Sequence, residues 1–263
     1  MAKMLQLRRL AQAGWVIRGS GTTLVIDAFL SPRADRLVPP TILPETLAGV
    51  DAILATHEHR DHLDIPALAG LVAASPSARV IVPAPIVDKV APLVAADRIV
   101  PALVDQVITI GDARVTPVPA RHGVQMADAY GFGLELSGGL YRFLGYVIEL
   151  DGVRIYHAGD TIRYDGMAER LRDLRVDVAL LPINGRSSER EARGLVGNLS
   201  EMEAADLAAD ARIWVLIPMH HDTIRGNTGS ARVLRMYARF KHPQLRVVEV
   251  APFNEITWPM GQT

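Results

Sequence analysis

The sequence predicts an α/β protein of two similar halves, packed sheet against sheet with helices outside. Three observations carry that expectation. Short apolar runs come in hairpin pairs early in each half and then alternate with helical patterns. No flexible linker splits the chain, so residues 1–263 read as one domain. The residues best suited to hold a metal each follow a predicted strand, which is where α/β sheets place their chemistry.

In the first half, Trp15-Val16-Ile17 and Leu24-Val25-Ile26 flank the turn Gly19-Ser20-Gly21 and predict a hairpin. No helix follows that turn, so it reads as turn chemistry and not as a phosphate loop. Asp27 ends the second strand, and the proline-rich residues 31–46 form a loop expected near the site mouth. Ala52-Ile53-Leu54-Ala55 reads as a buried strand. A helix starts at Asp64-Ile65-Pro66, with Asp64 as N-cap, Pro66 in the first turn, and Leu68, Leu71 and Val72 as its apolar stripe. Then come a strand at Val80–Val82 and a helix from Ile86 to Ala95. A strand pair, Val107–Ile110 and Val115–Val118, turns at Gly111-Asp112.

The second half repeats this rhythm. Phe143–Leu150 and Val153–Tyr156 flank Asp151-Gly152, a strong hairpin signal. A helix near Met167–Leu171 precedes a buried strand at Val178–Leu181. Ser200-Glu201-Met202-Glu203 is a capping box opening a helix that runs to about Ala211. A strand at Ile213–Ile217, a helix at Ser230–Phe240 and a strand at Leu245–Val250 complete the chain.

The composition, 49% hydrophobic and 22% charged with a formal net charge of -1, is that of an ordinary globular protein. The absence of a basic excess argues against a nucleic-acid partner. Without cysteine, any metal must be held by nitrogen and oxygen. The start, Met1 to Arg9, lacks a secretory apolar segment and no apolar run is long enough to span a bilayer, so a cytoplasmic protein with no membrane partner is expected.

The most informative stretch is Thr56-His57-Glu58-His59-Arg60-Asp61-His62. Three imidazoles and the Asp61 carboxylate within six residues repel one another unless a cation sits among them. His57 and His59 alternate out of the turn on one side and can reach one ion, while Asp61 and His62 lie further round, placed for a second. Later strand ends offer the remaining ligands. His122 follows the strand 115–118, Asp160 follows Gly159 after the strand 153–156, and His220 follows the strand 213–217. His122 completes a trio with His57 and His59, His220 joins Asp61 and His62, and Asp160 bridges both ions.

The run His57-x-His59-x-Asp61-His62, with His122, Gly159-Asp160-Thr161 and His220, resembles the metallo-β-lactamase fold superfamily of metal-dependent hydrolases. Leu181 to Arg186, Gly197-Asn198-Leu199 and Ile217 to Asp222 resemble its ascorbate-6-phosphate lactonase-like branch. The resemblance covers nearly the whole chain. It implies a four-layered αββα sandwich with two divalent metal ions, manganese or zinc with iron as a third option, at one edge of the sheets. It makes His220, and not His221, the ligand of that pair. His221 then faces the second shell or the substrate and rivals Asp61 for proton delivery, while Asp61 orients the nucleophile.

Substrate recognition is expected from the loop 183–198, through Asn184, Arg186 and Asn198, and from Arg121 at the rim; Arg163 and Tyr164 are further rim candidates. Arginine offers a planar fork for phosphate or carboxylate. Arg190 and Arg193 read as solvated, His157 as structural or as a support behind the ligands, and His242 as solvated. The leading function is a lactonase acting on a small anionic, sugar-phosphate-like lactone. The alternatives are a phosphodiesterase and a non-catalytic metal-binding regulator. Apolar residues in the loop 31–46 suit either a subunit contact in a homo-oligomer or a lid.

Overall fold

The computed structural model describes residues 4–122, 140–185, 188–192 and 197–258. In the first half, β1 (Leu5–Ala11), β2 (Gly14–Arg18) and β3 (Thr23–Ile26) are antiparallel, and β4 (Ala52–Leu54), β5 (Arg79–Pro83) and β6 (Ile99–Ala102) add in parallel. The second sheet follows the same plan. Antiparallel β7 (Ile108–Ile110), β8 (Ala113–Pro119), β9 (Leu144–Leu150) and β10 (Val153–His157) lead to parallel β11 (Val178–Pro182), β12 (Val215–Met219) and β13 (Arg246–Val247). β14 (Glu255–Trp258) returns to pair with β1, giving the orders β14-β1-β2-β3-β4-β5-β6 and β13-β12-β11-β10-β9-β8-β7. The two halves are similar, as expected.

Alternation along the strands builds the layers. Trp15, Ile17, Leu24, Ile26, Leu54 and Ile81 point between the sheets, where they share one core with Val115, Tyr146, Ile148 and Ile155. Their neighbours Val16, Val25, Ile53, Val80 and Val82 point outward beneath α1 (Ile65–Ala74) and α2 (Val87–Val90). On the second sheet, α3 (Met167–Asp173), α5 (Glu201–Asp210) and α6 (Ala231–Lys241) supply the outer layer through Leu171, Leu207, Leu234 and Ala238, with the short α4 (Ser188–Ala192) in the connection before α5. Helix, sheet, sheet, helix is the order expected. No helix among the described residues is long and apolar enough to cross a membrane.

Helix starts obey their sequence signals. Asp64 caps α1 at the Ala67 N–H and also accepts the Leu30 and Ser31 N–H groups, so one carboxylate ties the loop after β3 to the helix beyond the histidine turn. The Ser200–Glu203 capping box is formed.

Several boundaries differ from expectation, each for a physical reason. The helix over 86–95 is only four residues long, Val87–Val90, because Pro92 has no N–H to continue the ladder. β12 starts at Val215 and not at Ile213, where parallel pairing with Val178 begins. The last expected strand shrinks to Arg246–Val247, which pairs with β12 alone. β1 and β14 were not anticipated. β1 carries a buried arginine, Arg9, that breaks its apolar alternation. His242 is half-buried and not free in solvent, its Nε2 lying 2.6 Å from Asp206 Oδ1 on the neighbouring α5.

Candidate metal centre

The turn after β4 and the loops after β8, β10 and β12 converge at one end of both sheets. They bring together two sets of side chains: His57, His59, His122 and Asp160, then Asp61, His62 and His220. Within each set the ligand atoms lie within 4.8 Å of one another. Asp160 reaches both, with Oδ1 at 3.2 Å from His62 Nε2 and 3.3 Å from His220 Nε2, and Oδ2 at 3.7 Å from His122 Nε2.

Hydrogen bonds behind the rings settle which nitrogen faces inward. Thr56 Oγ1 donates to Asp27 Oδ2 at 2.7 Å, so it can only accept from His57 Nδ1 at 3.0 Å. His62 Nδ1 donates to Asp27 Oδ2 at 2.7 Å, and His122 Nδ1 to the Gly197 carbonyl at 2.6 Å. All three rings therefore turn Nε2 toward the cluster, the arrangement by which proteins orient metal-ligating histidines. His57 Nε2 and His59 Nδ1 stand 3.0 Å apart, a spacing suited to two nitrogens each about 2.1 Å from one ion. His62 Nε2 and Asp160 Oδ1 are buried and face each other at 3.2 Å inside the cluster. These residues fit a divalent cation.

The electrostatics agree. Burial, with His62 and His59 close by, holds the His57 imidazole well below its usual pKa, and burial with His122 brings His59 to about 4. Both rings are neutral at physiological pH, as ligands must be. Burial would also discharge His62, but Asp160 and Asp27 outweigh it and raise its pKa well above normal, so a cation there competes directly with a proton. Burial alone would raise the Asp160 carboxyl, yet His220 and His62 hold it well below the usual range.

Two residues of this site were missed by the sequence reading. Asp27 is wholly buried at the end of β3 and organises Thr56 and His62. Gln12, in the turn after β1, reaches Asp61 and His220. Left-handed backbone recurs here, at Gln12, Asp27 and His220, as it does where strain is held at functional sites. Gly159 is left-handed too, and a Cβ there would stand 2.8 Å from Thr56 Cβ and 2.9 Å from the Leu144 carbonyl. Gly159→Ala is expected to destabilise the fold by about 1–3 kcal/mol, measured by denaturant titration.

Of the remaining candidates, His221 lies beside the cluster, outside both sets, with its pKa brought to about 4 chiefly by burial. Asn184 and Asn198 are buried and joined, Asn198 Nδ2 donating to Asn184 Oδ1 at 3.0 Å. Arg121 is half-buried next to His122 and its backbone N–H donates to Thr161. Arg186 and Arg193 lie outside the described residues, and so does the side chain of Arg190. Arg163 pairs with Asp210 on α5, while Tyr164 donates to the Pro119 carbonyl. His157 donates to the Ala13 carbonyl at 2.7 Å, the structural role expected.

The family described as the β-lactamase superfamily domain matches residues 22–221. A metal-dependent hydrolase of Methanoculleus marisnigri is 32% identical over 222 residues, 83% of this chain and 82% of its own. A protein of Salmonella heidelberg named a probable L-ascorbate-6-phosphate lactonase is 25% identical over 86% of this chain and 66% of its own. Among solved structures, the metallo hydrolase Igni18 of Ignicoccus hospitalis superposes with a TM-score of 0.75 at 18% identity, covering 98% of this chain and all of that one (100%), a likeness of fold alone. The chain belongs to the β-lactamase superfamily, as a metal-dependent hydrolase of that family.

Proposed function

We propose that the protein is a lactonase acting on a small anionic, sugar-phosphate-like lactone with two divalent ions, manganese or zinc with iron as a third option. His57, His59 and His122 would hold one ion, Asp61, His62 and His220 the other, with Asp160 shared. The observation that carries this reading is the reach of Asp160 into both sets. Bound there, the ions supply a water activated near neutral pH and a Lewis acid for the oxygen of the electrophile.

The chain's own residues supply orientation and proton handling. Burial would raise the Asp61 carboxyl, but the hydrogen bond to His220 and the charge of His62 keep it well below the usual range, so it stays ionised and suits a group that orients the nucleophile. His221, neutral at physiological pH, is the rival for proton handling, and would have to accept a proton from the attacking water before passing it to the leaving group. Anion recognition is assigned to Arg121 and Arg186, with the joined Asn184 and Asn198 shaping the wall. The likeness to the Salmonella lactonase favours an ester carbonyl as the electrophile.

The alternative is a phosphodiesterase, because the same activated water attacks phosphorus. Metal-stripped protein reloaded with manganese or zinc decides between them when a sugar-phosphate lactone and a generic phosphodiester are compared. Faster opening of the lactone is the expected result; faster cleavage of the phosphodiester overturns the lactonase assignment.

A further inference from the structure

We propose that Gln12 is a positioning residue for Asp61 and His220, and that it sets the affinity of the second ion and not of the first. The inference rests on the two-ion reading above. Gln12 occupies the turn between β1 and β2 and is wholly buried. Its backbone is left-handed, φ +49°, directly after Ala11 at φ +85°. A side chain in that conformation persists only where its surroundings over-determine it.

Its contacts show what does so. The Gln12 N–H donates to Thr223 Oγ1 at 2.8 Å, and its carbonyl accepts the His220 N–H at 3.0 Å. Its Nε2 donates to Asp61 Oδ2 at 2.8 Å and lies 2.9 Å from His220 Nε2. One residue of the first sheet therefore holds the backbone and ring of His220, at the end of the second sheet, together with the carboxylate of Asp61. None of its hydrogen bonds reaches His57, His59, His122 or Asp160. Packing alone does not account for an amide here, because Gln12 Oε1 is buried without a hydrogen-bond partner and so costs stability. The amide is an uncharged donor, able to orient Asp61 without bringing a charge that competes for the cation. Outer partners of this kind are worth about 10–100-fold in metal affinity.

The test is equilibrium dialysis of the metal-stripped protein against graded manganese, with bound metal counted by elemental analysis, for wild type, Gln12→Gly, Gln12→Glu and His59→Ala. Glycine adopts the left-handed turn freely, so Gln12→Gly removes the side chain without disturbing the backbone. The expected result is two ions in wild type and a second-site affinity about 10–100-fold weaker in Gln12→Gly, with the first site changed less than about twofold. Gln12→Glu, which keeps the length and loses the donor, is expected not to restore the second site. Retention of both affinities in Gln12→Gly, or equal weakening of both, overturns the proposal. So does tighter second-site binding in Gln12→Glu, which would make position 12 a direct ligand. Fewer than two ions in wild type, with His59→Ala unchanged, would instead overturn the two-ion reading and this inference with it.

Discussion

Asp160→Ala is expected to abolish most hydrolysis, lowering kcat/KM by at least about 10³-fold, which corresponds to about 4 kcal/mol of lost transition-state stabilisation. Among the described residues, no other carboxylate lies within 4 Å of imidazoles from both sets. Its removal takes one anion from a centre of five histidines and leaves Asp27 and Asp61 as the nearest carboxylates to His62 and His220. On the proposed two-ion reading both sites weaken together, so the loss should not be recovered by saturating substrate. The measurements are kcat/KM, bound metal and thermal midpoint together. Near-normal activity with near-normal metal content would remove Asp160 from the centre, whereas a collapsed midpoint would assign the loss to folding.

The largest expected effect on stability lies behind the site. Arg9 is 1% exposed, and its guanidinium donates to both oxygens of Asp222, at 2.9 and 2.6 Å, and to the Val250 carbonyl at 2.9 Å. This pair joins β1 to the loop that carries His220 and His221. Asp222→Ala leaves a buried guanidinium without its counter-charge and is expected to cost about 3–5 kcal/mol of unfolding free energy. Replacing both partners, as Arg9→Met with Asp222→Ala, removes the stranded charge and should recover most of that loss. Urea titration of the two single variants and the double variant measures the coupling. Additive losses would mean that the pair contributes little. Because the loop carries His220, the single Asp222 variant should also weaken metal binding at the set formed by Asp61, His62 and His220.

Much of the centre was legible because its signals are local. His57, His59, Asp61 and His62 fall within six residues between a short apolar strand and a capped helix, so their spacing alone implied convergence. His122, Asp160 and His220 were found by a weaker rule, polar residues directly after strands, and the structure brings all three to the same sheet ends. Asp27 satisfied that rule as well, but a lone aspartate after a strand carries no hint that its partners are Thr56 and His62. Gln12 had less still, since β1 was itself hidden by the buried Arg9.

What the sequence determined by itself was the alternation of strands and helices, the caps, and the residue types able to hold a metal without sulfur. Strand period, capping and turn chemistry act over a few residues, so they can be read from neighbours in the chain. Only the tertiary structure decided which imidazole nitrogens face inward, which imidazoles each oxygen of Asp160 meets, and that Asn184 bonds Asn198. Those facts depend on loops from two sheets meeting at one end, across separations such as that between Gln12 and His220. Burial then makes each contact strong, because a polar group removed from water must take the partner that the fold places beside it.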